Sequence, residues 1–392
     1  MKFIQVFNRY LAPGGEEKSV ARIAAHLELG GHQVFRFWRA SQEWTAANAP
    51  SKLRQALLLW RNGPVLEELR RLHEREKADA WILHNVIPVV SLGVYHLARE
   101  LNVPIFQWLH NYRPISPSSS LFAGGHRLEP DDPWITLKEV WHGTWNGRLR
   151  TAWLAAAYWA LKQRGDFASV KAWVAVSEQV RTTFLRAGWN PTEVFTLRHA
   201  WDVLPPPQSV RDEGYFLFLG RMVETKGVRM LVELWRRPEM TRYPLIMAGQ
   251  GPLVDALRPI LPPGVRWIGH VEGAEKRRWV QGCRAVLFPN LWAEPLSTVA
   301  YEAYQDCKPI LASPLGGMPE IVLDGITGRL VDPHQPGRWQ EAILDLGANP
   351  DAASRLGHTG RAWLEREATA DVWRQRFGDI ACRVLPQPMD QR

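Results

Sequence analysis

Lys2 to Phe7 alternates as a strand does, Glu16 to Leu29 carries Val20, Ile23, Ala24 and Leu27 at helical spacing, and Gln33 to Phe37 alternates again. This strand–helix–strand opening constrains the chain more than any other feature. Two strands joined by a crossover helix lie parallel, and a parallel sheet needs helices on both faces. Asn8 to Gly15 is read as the crossover loop, and Gly30-Gly31 ends the helix. Gly14 and Gly15 then lie above the carboxyl edge of the sheet, where backbone can approach a ligand closely.

The same grammar recurs along the chain. Ala80–Leu83 reads as a strand ending at His84-Asn85, and Val103–Leu109 as one ending at His110-Asn111-Tyr112-Arg113. Polar residues at the carboxyl ends of parallel strands face the ligand crevice. Residues 114–147 are rich in Pro, Ser, Gly and Asp and read as a long irregular loop, of the kind that binds or covers a ligand. Arg150–Arg164 reads as a helix bearing Trp153, Leu154, Ala157, Tyr158 and Leu161, with Arg148, Arg150, Lys162 and Arg164 at its ends. That pattern suits either a core helix with solvated ends or a membrane interface. Ala172–Val176 is a further strand, with Ser177 capping the next helix.

Pro205-Pro206-Pro207 is a stiff break. A second set of alternating elements follows it. Tyr215–Leu219 runs into Gly220-Arg221, and Lys226-Gly227 opens a helix. Leu245–Ala248 precedes Gly249-Gln250-Gly251-Pro252, and Val265–Ile268 ends at Gly269-His270. Arg284–Phe288 and Pro309–Ala312 complete the set, the latter before Gly316-Gly317-Met318-Pro319-Glu320. The expected class is α/β: two doubly wound Rossmann-like domains facing across a cleft, over 1–203 and 208–370, with a last helix within 371–392.

Within the second domain, Glu294-Pro295 and Glu302 set two carboxylates eight residues apart. Proline suits the first position of a helix, so the pattern predicts a helix from Pro295 to about Asp306 with Glu294 at its mouth. At that spacing the carboxylates stand ~12 Å apart along the axis, beyond the ~5–9.5 Å of a glycosidase pair. The backbone N–H groups of Leu296, Ser297 and Thr298 would then form an anion site between them.

Charge is uneven. Residues 1–200 hold 25 basic and 17 acidic side chains, which accounts for the whole net charge of +8. A basic half suits a membrane surface or an anionic acceptor, and no nucleic-acid-binding signature accompanies it. Cys283, Cys307 and Cys382 form neither a metal pattern nor a disulfide framework, so a reducing compartment is expected. The opening residues lack the apolar run of a signal peptide. The longest apolar run, Thr151–Leu161, is far short of the ~20 residues of a spanning helix. The expected location is cytoplasmic, or peripheral at the inner face of the cell membrane.

Taken in order, Gly14-Gly15-Glu16, His110, Gly220-Arg221 with Lys226-Gly227, Gly249 and Gly251-Pro252, Glu294 with Glu302, and Gly316-Gly317 with Pro319-Glu320 resemble glycosyltransferase family 4, retaining enzymes of GT-B fold. The stretches His110–Arg113, Trp141–Arg148 and Val176–Glu178 resemble bacterial members that build surface polysaccharides. Ser116 and His142 stand where those relatives often carry cysteines, and Leu296-Ser297 where the family commonly has an aromatic residue or leucine followed by glycine.

The resemblance implies a nucleoside-diphosphate sugar donor, UDP- or GDP-linked, bound without a resident cofactor. Arg221 and Lys226 would hold the diphosphate, with the amides near Leu296, Ser297 and Thr298, and Gly14, Gly15, Gly220, Gly249 and Gly251 would line the donor site. Glu302 would take the ribose diol, Glu294 the hydroxyls of the transferred sugar, and backbone around Gly269, His270 and Val271 the base. His110 would meet the sugar from the other domain, and Asp371–Leu385 would return to the first domain. No Asp-x-Asp motif is present, since Asp131-Asp132 lacks the pattern, so fixed cations are expected in place of a metal. The expected partners are the donor, a saccharide or lipid-linked acceptor and an anionic membrane. A GT-B-fold nucleotide-sugar 2-epimerase is the alternative, though no acid/base pair for it can be assigned; a non-catalytic sugar-binding protein is the third reading, and the full set of clamp residues argues against it.

Overall fold

The computed structural model describes residues 1–11, 14–47, 49–205, 207 and 212–385. Ala12-Pro13 of the first loop, Pro206 of the triple proline, residues 208–211 at the expected start of the second domain and residues 386–392 of the returning segment lie outside the described residues. The chain divides into two units, Met1–Ala200 with Ala370–Arg392, and Trp201–Thr369.

The first unit begins with β1 (Lys2–Arg9), α1 (Gly15–Leu29), β2 (Gln33–Ala40), α2 (Lys52–Trp60), α3 (Gly63–Glu76), β3 (Ala80–Leu83), α4 (Gly93–Glu100) and β4 (Ile105–Leu109). A short antiparallel pair follows, β5 (Phe122–Ala123) and β6 (His126–Arg127), then α5 (Ile135–His142), α6 (Arg148–Gln163), β7 (Val170–Ala175), α7 (Glu178–Arg186) and β8 (Val194–Thr196). The main sheet is parallel throughout, in the order β2-β1-β3-β4-β7-β8. Its winding reverses between β1 and β3, and the carboxyl ends of those strands open a crevice there.

One expectation needs correction in this unit. Residues 114–147 are not one irregular loop, because they hold the β5–β6 hairpin and α5. Two buried contacts explain the order. Ser116 Oγ donates to Glu139 Oε1 at 2.6 Å, and Ile135, one turn before Glu139, is buried on the same face of α5. Of the two readings of the helix expected over Arg150–Arg164, α6 fits the core helix along its inner face, where Leu154, Ala157, Tyr158 and Leu161 are buried.

The second unit contains β9 (Tyr215–Leu219), α8 (Val228–Leu234), β10 (Leu245–Ala248), α9 (Val254–Leu257), β11 (Val265–Gly269), α10 (Gly273–Gly282) and β12 (Cys283–Phe288). It continues with α11 (Thr298–Gln305), β13 (Ile310–Ala312), β14 (Gly328–Leu330), α12 (Pro336–Ala348) and α13 (Pro350–Glu367). The sheet is again parallel, ordered β11-β10-β9-β12-β13-β14. Counted within the unit this is the order 3-2-1-4-5-6, with its reversal between β9 and β12. β9 is Tyr-Phe-Leu-Phe-Leu and buried along its whole length, as a central parallel strand covered on both faces must be. Phe216, Leu231, Trp235, Leu287 and Trp339 lie in one core cluster with it.

The final helix, α14 (Ala370–Val384), belongs to the first unit. Trp373 and Phe377 stack on one another at 5.5 Å, and Phe377 reaches Phe3 of β1 and Phe106 of β4 at 5.8 and 5.6 Å. Two doubly wound parallel sheets of this kind are the expected GT-B class.

Candidate active site

At the reversal of the second sheet, β9 delivers Gly220 and Arg221, and β12 delivers Pro289 and Asn290. Lys226 sits in a single 3-10 turn, Glu224–Lys226, ahead of α8. Its ammonium lies 2.7 Å from Glu294 Oε2, and Asn290 Nδ2 donates to the same oxygen at 2.5 Å. Both donors therefore converge on one carboxylate oxygen, and Lys226 keeps two N–H groups for another acceptor. Arg221 is exposed and has no ion-pair partner among the described residues.

Glycine is sterically required at Gly227 and Gly249. Gly227 has φ +68°, and a Cβ on it would lie 1.9 Å from the Pro289 carbonyl oxygen, so the Lys226 turn presses directly on the end of β12. Gly249 has φ +141°, and a Cβ would lie 1.8 Å from the carbonyl oxygen of Gly220. Gly251 follows in the same turn, where Gln250 accepts from the Met222 amide at 2.8 Å. The glycines after β10 and the basic loop after β9 are thus one packed assembly.

The helix carrying Glu302 starts later than Pro295. α11 begins at Thr298 with Ser297 as its N-cap, so Glu294, Leu296 and Ser297 precede the helix, and the axial separation expected for the two carboxylates does not apply. The cause is the neighbouring turn. Gly317 N–H donates to the Glu294 carbonyl at 2.9 Å, which occupies the acceptor a helix starting at Pro295 would need. The amides that open the helix are those of Thr298 and Val299, and the Ser297 side chain makes no cap hydrogen bond. Glu302 accepts from Lys276 of α10 at its Oε1, 2.5 Å away, while its Oε2 is buried without a partner among the described residues. Val271 is buried beside the exposed His270, which lies 3.3 Å from Glu272. Lys276 and Asn290 carry no motif of their own. Only their spatial pairing with Glu302 and Glu294 marks them.

The first unit gathers a different set. Gly14 is the N-cap of α1 and Gly15 its first residue, and both are exposed. The next residue, Glu16, lines a cavity with His84, Asn85, Tyr95, Gln107, His110, Arg113 and Tyr158. Tyr10 OH donates to Glu16 Oε2 at 2.8 Å, and burial pushes the Glu16 carboxyl up to about 7. Asp131 and Asp132 lie apart from this cavity in ion pairs, Asp131 with Arg186 and Asp132 with Lys138.

His110 ends a chain of donors that fixes its tautomer. The Trp38 indole N–H can only donate, and it reaches Gln5 Oε1 at 3.2 Å. Gln5 Nε2 then donates to the Val20 carbonyl at 2.9 Å and to His84 Nε2 at 3.1 Å. His84, neutral because burial lowers it to about 3, must carry its proton on Nδ1 and give it to His110 Nε2 at 3.0 Å. Burial and the neighbouring imidazoles hold His110 well below its ordinary value as well. His110 is therefore a neutral ring with its own proton on Nδ1, stacked 6.0 Å from His199. His199 is lowered to about 3 by burial and bonds Ser19 at 2.9 Å.

With the geometry in place, three comparisons bear on the class. Residues 204–363 match the family model described as Glycosyl transferases group 1. The chain is 29% identical over 200 residues to the D-rhamnosyltransferase WbpZ of Pseudomonas aeruginosa, covering 47% of this chain and 52% of that protein. It is 28% identical over 290 residues to alpha-maltose-1-phosphate synthase of Mycobacterium tuberculosis, covering 64% and 71%. The aligned stretch thus spans about half the length of the rhamnosyltransferase and somewhat more of the synthase. Among solved structures, Anabaena HepE in complex with UDP-glucose superposes with a TM-score of 0.68 at 16% identity, covering 97% of this chain and 99% of that one. The fold is GT-B. The family match and the named relatives support a glycosyltransferase, and they give no support to the epimerase alternative.

Two outcomes follow from the first unit. Glu16 is raised in the fold, so its stabilising contribution is complete below its ordinary 4.5 and is lost as pH rises through about 7, whereas His84 is depressed, so its contribution holds above 6.5 and is lost as pH falls toward about 3. In urea titrations across pH, Glu16→Gln gains on the wild type only on the alkaline side, and His84→Gln only on the acid side. Second, long-range proton–nitrogen NMR at neutral pH shows His110 as the Nδ1–H tautomer, and Gln5→Leu weakens that preference.

Proposed function

We propose that the chain is a retaining glycosyltransferase that moves a hexose from a UDP- or GDP-sugar to a saccharide or lipid-linked acceptor. We place it in bacterial cell-envelope or exopolysaccharide synthesis, working peripherally at the inner face of the membrane. The observation that carries the reading is the Lys226–Glu294–Asn290 cluster at the β9/β12 reversal, beside the unpaired Arg221. Departure of a nucleoside diphosphate puts negative charge on its phosphates, so cations fixed there in advance lower the barrier. Arg221 offers a bidentate fork and Lys226 a point charge with two N–H groups to spare. The α11 amides of Thr298 and Val299 add donors at a helix N-terminus.

The carboxylates divide the remaining work. Glu302 has one oxygen held by Lys276 and the other buried and unpartnered among the described residues, which suits a diol able to donate to it, as a ribose is. Glu294 is held by Lys226 and Asn290 through Oε2, which leaves Oε1 to accept from a sugar hydroxyl. Held by two donors, it is poorly suited to covalent attack. We therefore read the reaction as same-face displacement, in which the departing phosphate oxygen takes the acceptor's proton. His110, donating through Nδ1–H, orients a sugar hydroxyl. The named activities of the rhamnosyltransferase and the UDP-glucose complex of HepE support this substrate class.

Arg221→Ala and Lys226→Ala each lower kcat by ~10²–10³, the usual effect of removing one preorganised donor, while thermal unfolding stays cooperative. Activity in EDTA stays close to that without it; a loss that magnesium or manganese restores would refute the two cations as sole electrophile. Proton NMR of the first-formed product shows the donor's anomeric configuration retained, and an inverted coupling rules the retaining reading out.

A further inference from the structure

α5 and the start of α6 leave four large apolar side chains in water: Trp134 is 62% exposed, Leu137 58%, Trp141 67% and Leu149 88%. The arrangement follows from how α5 is moored. Ile135 and Glu139 face inward one turn apart, with Glu139 tied to Ser116. Trp134, Leu137, Lys138 and Trp141 then share the opposite face at i, i+3, i+4 and i+7. Gly143 ends the helix in the left-handed region, and the chain turns back into α6. Arg148 returns to Trp141, with its guanidinium 4.6 Å from the ring centroid and its Nε donating to the Trp141 carbonyl at 2.8 Å. Leu149 follows directly.

The charges around this face are sorted by sign. Asp132 is neutralised by Lys138 at 2.6 Å, and Asp131 and Glu129 by Arg186 at 2.7 and 2.9 Å. Arg148 and Arg150 have no acidic partner among the described residues. An exposed apolar face rimmed by unpaired guanidinium groups and bearing tryptophan is chemistry suited to a lipid headgroup layer. A second copy of the chain suits it less well, because a two-fold contact would bring Arg148 and Arg150 of both copies together with no acid between them.

We propose that this face docks on an anionic phospholipid bilayer. Trp134, Leu137, Trp141 and Leu149 enter the boundary between headgroups and acyl chains, and Arg148 and Arg150 pair with lipid phosphates. The docking face is read from α5 and α6 alone; only the lipid-linked acceptor it would serve rests on the transferase reading.

Vesicle co-sedimentation of the full chain tests the proposal without donor or acceptor. The wild type pellets with phosphatidylcholine vesicles containing phosphatidylglycerol and less with phosphatidylcholine alone, and added salt weakens binding as it screens charge over ~8–10 Å. Leu137→Glu with Trp141→Glu lowers partitioning at least ~30-fold, since two side chains lose their burial, and the thermal midpoint is unchanged because both are exposed. The exposed pair Leu53→Glu with Leu57→Glu on α2 leaves binding as in the wild type. Absence of pelleting at low salt, or a Leu137/Trp141 variant that binds normally, overturns the proposal. So does light scattering that shows the variant dissolving a dimer with no change in vesicle binding. A chain that binds vesicles but transfers no sugar refutes the transferase reading and leaves the docking face standing.

Discussion

The reversal of strand order between β9 and β12 is the constraint on which the second unit depends. Two neighbouring strands send their following segments to opposite faces of the sheet, so their carboxyl ends part and leave a crevice. Arg221 and Lys226 come from one lip, and Asn290 and Glu294 from the other. Gly227 allows the two lips to touch at backbone distance, which is how a lysine and a glutamate 68 residues apart come within 2.7 Å.

The first unit uses the same device differently. Its cavity is lined mostly by polar groups such as His84, Asn85, Gln107 and His110, together with Glu16 and Arg113. Asn8 and Asn85 tie the ends of β1 and β3 together, with the Asn8 amide donating to the Asn85 carbonyl at 2.6 Å and Asn85 Nδ2 returning to the Asn8 carbonyl at 2.9 Å. On this frame the Trp38–Gln5–His84 chain delivers His110 as a donor of defined tautomer. The second unit's crevice thus gathers an ion-paired cluster, and the first unit's delivers a neutral imidazole as donor.

Much of the architecture was legible in the sequence because parallel strands are short, apolar and followed by glycine or polar residues. Tyr215–Leu219 and Leu245–Ala248 were placed to the residue. The misplacements share a cause, namely contacts between residues far apart in sequence. Pro295 is a good first residue of a helix, yet the Gly317 amide takes the Glu294 carbonyl and delays α11 to Thr298. Residues 114–147 have a loop-like composition, but the buried Ser116–Glu139 bond gives α5 an inside, and so puts Trp141 outside. Within the site, Glu294, Glu302 and Lys226 were recognisable by motif. Asn290, Lys276, Gln5 and His84 were not seen as partners, because a supporting side chain is identified by what it touches.

The shared oxygen of Glu294 has a consequence for how the site can change. Lys226 and Asn290 both lean on Oε2, so the residue proposed to read the sugar also sets the position of a cation proposed to steady the leaving group. Substitutions at these three positions act as a unit rather than as separate adjustments. Drift at Glu294 toward a new sugar disturbs Lys226 at the same time, and compensation must come from the opposite lip of the crevice. Donor preference and turnover are thereby inherited together, and the second unit is expected to diversify by replacing this cluster as a block.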